Sequence, residues 1–380
     1  MTENAQRRAL TAQVHRDAVN SGEPADDTGT AEHIGIGAPD HSEVAAARPP
    51  EPLGRRILRP QTIISFGLAV AIILFFFSRL NVEPNEVLRN VRSTDLRLYA
   101  VAWLLYYGAF GLRAARWRWM MADAGVRSDQ GFTVPPLRRF AEIIMLSWFV
   151  NCVVPAKVGD AYRSYLAKRA TGSTFSTSLG TILAERLTDL TVLFATMTTA
   201  GIIAFHGRLP AEATRTLILG IGLLGIGFAG LTGLWFARHA VERRLPVRLR
   251  KQFGHLHDAI FACLRKPWRP VAISILIWLA DGLRFYCVGT ALGADLSYST
   301  AAFVSLMSAL LTTLPVTPAG LGVVEVAMVT MLKLVDVNAS LAGSIALMDR
   351  LLSYWSLVAV GLVLYLRRLR HDVREAEVPS

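Results

Sequence analysis

Residues 140–169 read FAEIIMLSWFVNCVVPAKVGDAYRSYLAKR. The apolar run at the start is too short for a full membrane span, because about 20 residues are needed to cross a hydrocarbon core of ~30 Å. Proline and glycine then interrupt the helix, and charged residues follow at once. This pattern predicts a re-entrant helical hairpin, broken at Pro155 and Gly159, that enters a membrane and returns to the same face.

A second interruption of the same kind lies at residues 314–322, which read LPVTPAGLG. Short apolar segments at 301–314 and 323–334 flank it, so a second helical hairpin is predicted here. Its predicted breaks are Pro315, Pro318, Gly320 and Gly322. We expect the two breaks to approach one another near the middle of the membrane, from opposite faces.

The rest of the apolar sequence falls in long runs without the alternation of barrel strands, and hydrophobic residues make up 52% of the chain. Such runs are typical of helices that cross a membrane. We predict six spans, at about 61–77, 96–112, 178–205, 216–236, 270–292 and 341–366. The predicted fold class is an all-α polytopic membrane protein with about six spanning helices and two re-entrant hairpins.

The two interrupted regions share an order of features. In both, the pattern Pro-Ala-x-x-Gly is followed by a short helix, a polar turn and a long span that contains an adjacent acid and arginine. Each half of the chain, about 55–206 and 214–370, then holds two spans, a hairpin and a third span. Because three spans invert the chain, the halves are predicted to have inverted topology, as in many transporters.

The charges fix the predicted orientation. The net charge is +11, and the basic residues lie between the apolar runs, which is typical of cytoplasmic loops rather than of nucleic-acid binding. One such basic loop is predicted to begin at Arg113, after the second span. We predict a multi-pass protein of the bacterial plasma membrane with both termini cytoplasmic.

The domain boundaries follow from composition. Residues 1–52 contain four basic and nine acidic residues, a net of −5, and no sustained hydrophobic period. They are predicted to be a disordered cytoplasmic tail. Residues 53–370 are the predicted membrane domain, and residues 371–380 are a short cytoplasmic tail.

Several charged side chains fall inside the predicted membrane segments, where charges usually face a partner or a polar cavity. Arginine binds phosphate through two parallel hydrogen bonds, and helix N-termini after the glycines would add N–H donors. The cations predicted to bind a lipid headgroup are Lys157, Arg163, Arg186, Arg284 and Arg350. The acids predicted to orient them or to couple protons are Asp160, Glu185, Asp189, Asp281, Glu325 and Asp349. Ion pairing between helices, for example of Glu185 or Asp189 with Arg350, is the alternative.

The sequence contains none of the common motifs for metal, phosphate or nucleophilic catalysis. Its three cysteines lie far apart, without metal-ligand or redox spacing. We therefore predict no catalytic residue, no metal and no cofactor.

Three stretches resemble the lysylphosphatidylglycerol synthase transmembrane (flippase-like) family. They are NCVVPAKVGDAYR at 151–163, AERLTD at 184–189 and LPVTPAGLGVVE at 314–325. The resemblance covers about residues 55–370 and implies a domain that moves lipids across a membrane. We expect no aminoacyl-transferase domain, because the chain ends at residue 380, ten residues after the last basic cluster.

The expected function is therefore transport of a phosphate-bearing lipid, either a phospholipid or a polyprenyl-phosphate-linked lipid, and not catalysis. Two alternatives stay open: a membrane-embedded transferase that uses a lipid-phosphate donor, and a non-catalytic partner of a glycosyltransferase. The expected partners are anionic or phosphate-bearing membrane lipids, and a glycosyltransferase or another protein of envelope biogenesis. The resemblance implies the glycosyltransferase, since some relatives accompany domains that use polyprenyl-phosphate sugars.

Overall fold

A computed structural model of the chain describes residues 83–154, 158–207, 211–313 and 320–377. Within these ranges the regular structure is entirely helical, which confirms the predicted all-α class. The α-helices are α1 Pro84–Arg92, α2 Leu96–Asp123, α3 Leu137–Val153, α4 Gly159–Thr171, α5 Phe175–Ala204, α6 Ala211–Arg244, α7 Val247–Leu264, α8 Trp268–Ala291, α9 Tyr298–Thr312, α10 Val323–Lys333, α11 Ala339–Arg350 and α12 Ser356–Glu377. A π-helical turn, Leu351–Trp355, joins α11 to α12.

Four helical segments of the described part are long and apolar enough to cross a membrane: Phe175–Ala204, Leu217–Arg244, Trp268–Ala291 and Ala339–Arg370. They coincide with four of the six predicted spans and show a polytopic membrane protein. The predicted span at 61–77 lies outside the described residues, as does the N-terminal tail.

The second predicted span was wrong at its C-terminal end. Helix α2 does not stop near residue 112 but runs for 28 residues, to Asp123. Arg113 and Arg116, predicted to lie in a cytoplasmic loop, are therefore helical, and both are buried. For Arg116 the physical reason is pairing, because acids on another helix compensate its charge in a place where lipid could not.

Helices α3 and α4 form a hairpin with arms of 17 and 13 residues. Near its closed end, the Ser147 hydroxyl donates to the carbonyl of Gly159 at 2.8 Å, and the Asn151 side chain accepts from the Gly159 N–H at 2.8 Å. At its open end, the Thr133 N–H donates to the carbonyl of Thr171 at 3.1 Å. The chain thus reverses where a break was predicted, and both arms are shorter than a full span.

Gly159 has no room for a side chain. A Cβ atom there would lie 2.1 Å from the backbone oxygen of Ser147. Glycine therefore allows the two arms to touch through their backbones at this point.

Helices α9 and α10 pack against each other as the second pair of short arms, of 15 and 11 residues. Gly320 and Gly322 both have positive φ, +72° and +85°. This left-handed backbone suits glycine and prevents a continuous helix across the break. The Glu325 carboxylate accepts from the Gly322 N–H at 2.6 Å and so caps the start of α10. Pro155, Pro315 and Pro318 lie outside the described residues.

Two further helices support the bundle from the side. Helix α7, within a segment predicted to be cytoplasmic because of its basic residues, packs along α5 and α2. Its Ala259, Ile260 and Cys263 join Met120 and Ala184 in one buried apolar cluster. Helix α1 packs on α11 in a similar way, with its Asn90 amide donating to the Ser344 hydroxyl at 3.2 Å.

Candidate functional site

A group of six buried or half-buried charges, called here the first network, joins α2, α4 and α5. Its members are Arg116, Asp160, Arg163, Glu185, Arg186 and Asp189. Glu185 lies at its centre and is 3% exposed. Arg163 donates to both of its oxygens, at 3.1 and 2.7 Å, and Arg116 lies 3.1 Å from it. Arg116 also forms a two-pronged pair with Asp189, one arm of which measures 2.8 Å.

The pair of Arg186 with Asp160 is the part of the first network that lies nearer the surface. Arg186 donates to both oxygens of Asp160, at 3.1 and 2.7 Å. Their side chains are 39% and 24% exposed. Because Asp160 lies in the first turn of α4, this pair fastens the inner end of the hairpin to α5.

Neutral side chains complete the first network. The Arg163 guanidinium carbon lies 3.9 Å from the centre of the Trp117 ring, and the indole N–H of Trp117 donates to Thr181 at 3.1 Å. From α8, the hydroxyl of Ser274 contacts Arg116 at 2.5 Å and donates to Asp189 at 3.1 Å. Buried charges are thus held by several partners, as their desolvation requires.

The second network joins α8, α10 and α11, and its members are Asp281, Arg284, Glu325, Asp349 and Arg350. Arg284 pairs with Asp349 and, at 3.1 Å, with Asp281. Arg350 donates to Glu325 at 2.7 Å. The Ser305 hydroxyl of α9 donates to Asp281 at 2.7 Å. All of these except Asp281 are at most 7% exposed.

The two networks have the same plan. In each, an adjacent acid and arginine lie on a long helix that follows a hairpin. The acid pairs with an arginine from α2 or α8. The arginine pairs with an acid in the first turn of the hairpin's second arm, 26 residues earlier in the first network and 25 in the second. The duplicated pattern of the sequence is therefore also a duplicated set of contacts.

The predicted cations and acids that the structure describes fall within these two networks. The described hairpin breaks, Gly159, Gly320 and Gly322, lie at the hairpin ends and not in the networks. The predicted pairing of Glu185 or Asp189 with Arg350 was wrong. Glu185 pairs with Arg116 and Arg163, and Asp189 pairs with Arg116. Arg350 pairs with Glu325. Lys157 lies outside the described residues. The predicted approach of the two hairpin breaks stays a prediction, because Pro155 and Pro318 are also outside them.

Sequence reasoning missed two residues, Arg113 and Arg116. Arg116 belongs to the first network. Arg113 is 7% exposed, and its guanidinium carbon lies 4.8 Å from the centre of the Trp148 ring and 5.7 Å from that of Phe110. The helical spacing of apolar residues continues past both arginines to Met120 and Met121, and this signal could have placed them in the helix.

Two clefts lie along α2. One, of about 470 Å³, lies between the end of α2 and the open end of the first hairpin, where Arg118 and Arg127 line it with Phe140 and Thr171. The other, of about 710 Å³, runs along the first half of α2 and is mainly apolar. Its lining residues are Leu96, Tyr99, Ala100, Trp103, Leu104, Tyr107 and Gly108.

Comparison with known proteins gives a consistent result. The family model of the lysylphosphatidylglycerol synthase TM region matches residues 63–361. A UPF0104 membrane protein of Methanocaldococcus jannaschii is 30% identical over 236 residues, which are 60% of this chain and 97% of that protein. Another, of Methanothermobacter thermautotrophicus, is 25% identical over 314 residues, which are 78% of this chain and 91% of that protein.

A third relative has a functional name. Glycosyltransferase AglD of Haloferax volcanii is 25% identical over 334 residues, which are 77% of this chain and 52% of AglD. The family match includes both hairpins and every described residue of the two networks. The chain belongs to the lysylphosphatidylglycerol synthase TM region family.

Proposed function

We propose that the chain moves a lipid with a phosphate group from one leaflet of its membrane to the other. The observation that supports this most is the duplicated charge network, each copy of which fastens a broken helix to the next long helix. Ionisable residues in membrane helices are costly and commonly mark the path of a substrate or an ion. Broken helices at matching positions of two halves are typical of the central site of a transporter.

An inverted repeat is part of the proposal. Helices α2 and α8 pack lengthwise, and the Asp95 N–H at the start of α2 donates to the carbonyl of Ala291 at the end of α8, at 2.8 Å. The two helices are thus antiparallel, and each supplies one arginine, Arg116 or Arg284, to the network of its own half. Antiparallel equivalents are what a two-fold axis in the membrane plane would produce.

The lateral helices support the same symmetry. Helix α1 of the first half packs on α11 of the second half, and α7 of the second half packs on α5 of the first. In an inverted repeat, α1 would correspond to α7 and α11 to α5. The contact of α1 with α11 and the contact of α7 with α5 would then be related by the two-fold axis.

The proposed topology has six spans when residues 61–77 are counted, with both termini on the cytoplasmic side of the cell membrane. The first hairpin then opens to the cytoplasm and the second to the outside. The arginines at 367, 368 and 370, at the end of the last span, agree with a cytoplasmic C-terminus.

The hairpins act as gates in this proposal. Opening the pair Asp160–Arg186, or the pair Glu325–Arg350, releases the inner end of one hairpin from the next long helix. Phosphate oxygens of a headgroup can then replace the carboxylate on the arginine, since both fit the planar guanidinium fork. The lipid tails stay in the bilayer, and the apolar cleft along α2 offers them a surface.

Transport by the purified full chain in liposomes tests this proposal. We expect the wild-type protein to speed the movement of a fluorescent phosphatidylglycerol, or of a labelled polyprenyl phosphate, between leaflets. Asp160→Asn should slow this movement several-fold, because without the charge that pairs with Arg186 the first hairpin no longer closes and the two gates no longer alternate. Glu142→Gln is the matched control, since Glu142 lies on the other arm of the same hairpin. In the described part of the chain its partners are the exposed Arg138 and the half-exposed Arg139. Movement of neither lipid by the wild type, or equal losses in the two variants, would contradict the proposal.

A second candidate function rests on the relative AglD, whose name is that of a glycosyltransferase and of which this chain matches about half the length. The chain would then transfer a sugar from a lipid-phosphate donor, or assist an enzyme that does. Incubation with a radiolabelled polyprenyl-phosphate sugar in detergent micelles separates these functions, because transfer needs no bilayer whereas transport does. Sugar transfer in micelles by the purified chain alone would favour the enzyme.

A further inference from the structure

Arg113 differs from the other buried arginines of the described part. Those four, Arg116, Arg163, Arg284 and Arg350, each contact at least one carboxylate within the two networks. Arg113 makes no ion pair and no hydrogen bond from its side chain to any residue in the described ranges. Its guanidinium group lies over the rings of Trp148 and Phe110.

The location of Arg113 is central. On α2 it lies between Arg116, which belongs to the first network, and Tyr106, whose ring is 6.0 Å from the guanidinium carbon of Arg284 in the second. Along α2, Arg113 therefore lies between a residue of the first network and a residue that contacts the second.

The N–H donors of Arg113 have no oxygen acceptor among the described residues. An arginine has five N–H donors and no acceptor, and it stays protonated in proteins. Aromatic rings stabilise its charge but do not serve as oxygen acceptors for those donors. The side chain is largely buried and its donors have no oxygen acceptor in the described ranges, so an oxygen-rich group that reached them would be stabilising. The residue keeps 7% of its surface accessible, as Arg350 does, compared with 1% for Arg116 and none for Arg163.

We infer that Arg113 binds the phosphate group of the transported lipid at a point of α2 between the two networks. The inference rests on the proposed transport function and assigns the central contact to a residue that was not among the five predicted cations. A planar guanidinium binds two phosphate oxygens at once. Arg186 or Arg350 then receives the phosphate when its hairpin opens, and Arg113 holds it between these two contacts.

Binding by the purified full chain in detergent tests the inference. The probes are a short-chain phosphatidylglycerol and a diacylglycerol with the same tails, which differ in the phosphate headgroup. We expect the wild type to prefer phosphatidylglycerol, and Arg113→Gln to bind it about tenfold more weakly while its affinity for diacylglycerol is unchanged. Arg97→Gln, an exposed residue of the same helix, is the matched control and should keep the preference.

Competition by inorganic phosphate tells whether the site binds free phosphate or only the phosphate group of a lipid. If millimolar phosphate displaces the lipid from the wild type but not from Arg113→Gln, the phosphate group alone suffices for the site. If it does not displace the lipid although Arg113→Gln has lost the preference, the headgroup and tails are needed together. Both results support the inference.

Two results would overturn it. One is an Arg113→Gln variant that transports lipid and retains the wild-type preference, which would mean that only water fills the space. The other is a clear fall in the melting temperature of lipid-free Arg113→Gln, which would assign the residue a structural role. A wild type that neither prefers nor transports phosphate lipids would instead contradict the proposed function itself.

Discussion

Glu185 is the residue on which the first network most depends. It accepts from Arg163 on α4 and contacts Arg116 on α2, so it links three helices. A carboxylate at this depth is tolerated because the guanidinium groups replace the water that it has lost. In the described ranges, Glu185 is also the only carboxylate that Arg163 contacts, and Arg163 is fully buried.

Glu185→Gln should therefore destabilise the protein strongly. The variant removes the negative charge and leaves the buried Arg163 without an ionic partner, which typically costs about 3–5 kcal/mol. Thermal unfolding in detergent, followed with a dye that reacts with the buried thiols of Cys152, Cys263 and Cys287 as they become exposed, measures the change.

The matched control for this prediction is Glu142→Gln. Its partner Arg138 is 90% exposed, and surface pairs contribute about 0–1 kcal/mol. We expect its melting temperature to stay near that of the wild type. Equal melting temperatures for Glu185→Gln and Glu142→Gln would mean that the buried pair contributes no more than a surface pair.

The sequence predicted the acids of the two networks and all of their described arginines except Arg116, but not how they pair. Arg116 and Asp189 are separated by 73 positions, and Arg284 and Asp349 by 65. Such partners are chosen by helix packing, which local patterns do not contain. The same limit explains the wrong end of the second span: a run of arginines is typical of a cytoplasmic loop unless distant acids compensate them.

The hairpins were easier to predict because their causes are local. A proline, a glycine and an apolar run of limited length each act on the backbone nearby. The close approach of the two arms at Gly159 was less visible, since it depends on where Ser147 falls on the opposite arm. A short interrupted helix predicts that the chain turns, but which residues touch across the turn is known only from the folded structure.

Gly159→Ala should weaken the first hairpin. The added methyl group would have to move a backbone oxygen that lies 2.1 Å from its position, so the arms would separate and lose the hydrogen bonds from Ser147 and to Asn151. We expect a lower melting temperature and slower lipid transport. Gly111→Ala is the control, because a Cβ atom there meets nothing within 4 Å. A Gly159→Ala variant as stable as Gly111→Ala would show that the arms are not in close contact.

For the whole chain, the sequence predicted an all-helical membrane fold, and the structure and the family match agree with it. The part that could not be predicted is the lateral support from α1 and α7. The nine basic residues of 238–269 predicted a cytoplasmic segment, yet within it Ala259, Ile260 and Cys263 form an apolar face that α5 and α2 bury. A helix with one apolar face and one basic face fits both descriptions, and only packing distinguishes them.

The orientation of the two hairpins is what the transport proposal needs most. If the halves are inverted, the open end of the first hairpin faces the cytoplasm and that of the second faces the outside. Arg138 lies at the first open end and Lys333 at the second, and both are exposed. The three native cysteines are buried, so a single introduced cysteine can be labelled with little background.

Labelling of Arg138→Cys and Lys333→Cys with a membrane-impermeant maleimide tests this orientation directly. In intact cells we expect Lys333→Cys to react and Arg138→Cys to stay protected, and in inside-out vesicles we expect the reverse. Reaction of both cysteines from the same side would place both hairpins on one face. It would contradict the inverted repeat and, with it, the proposed path of the lipid between two opposed gates.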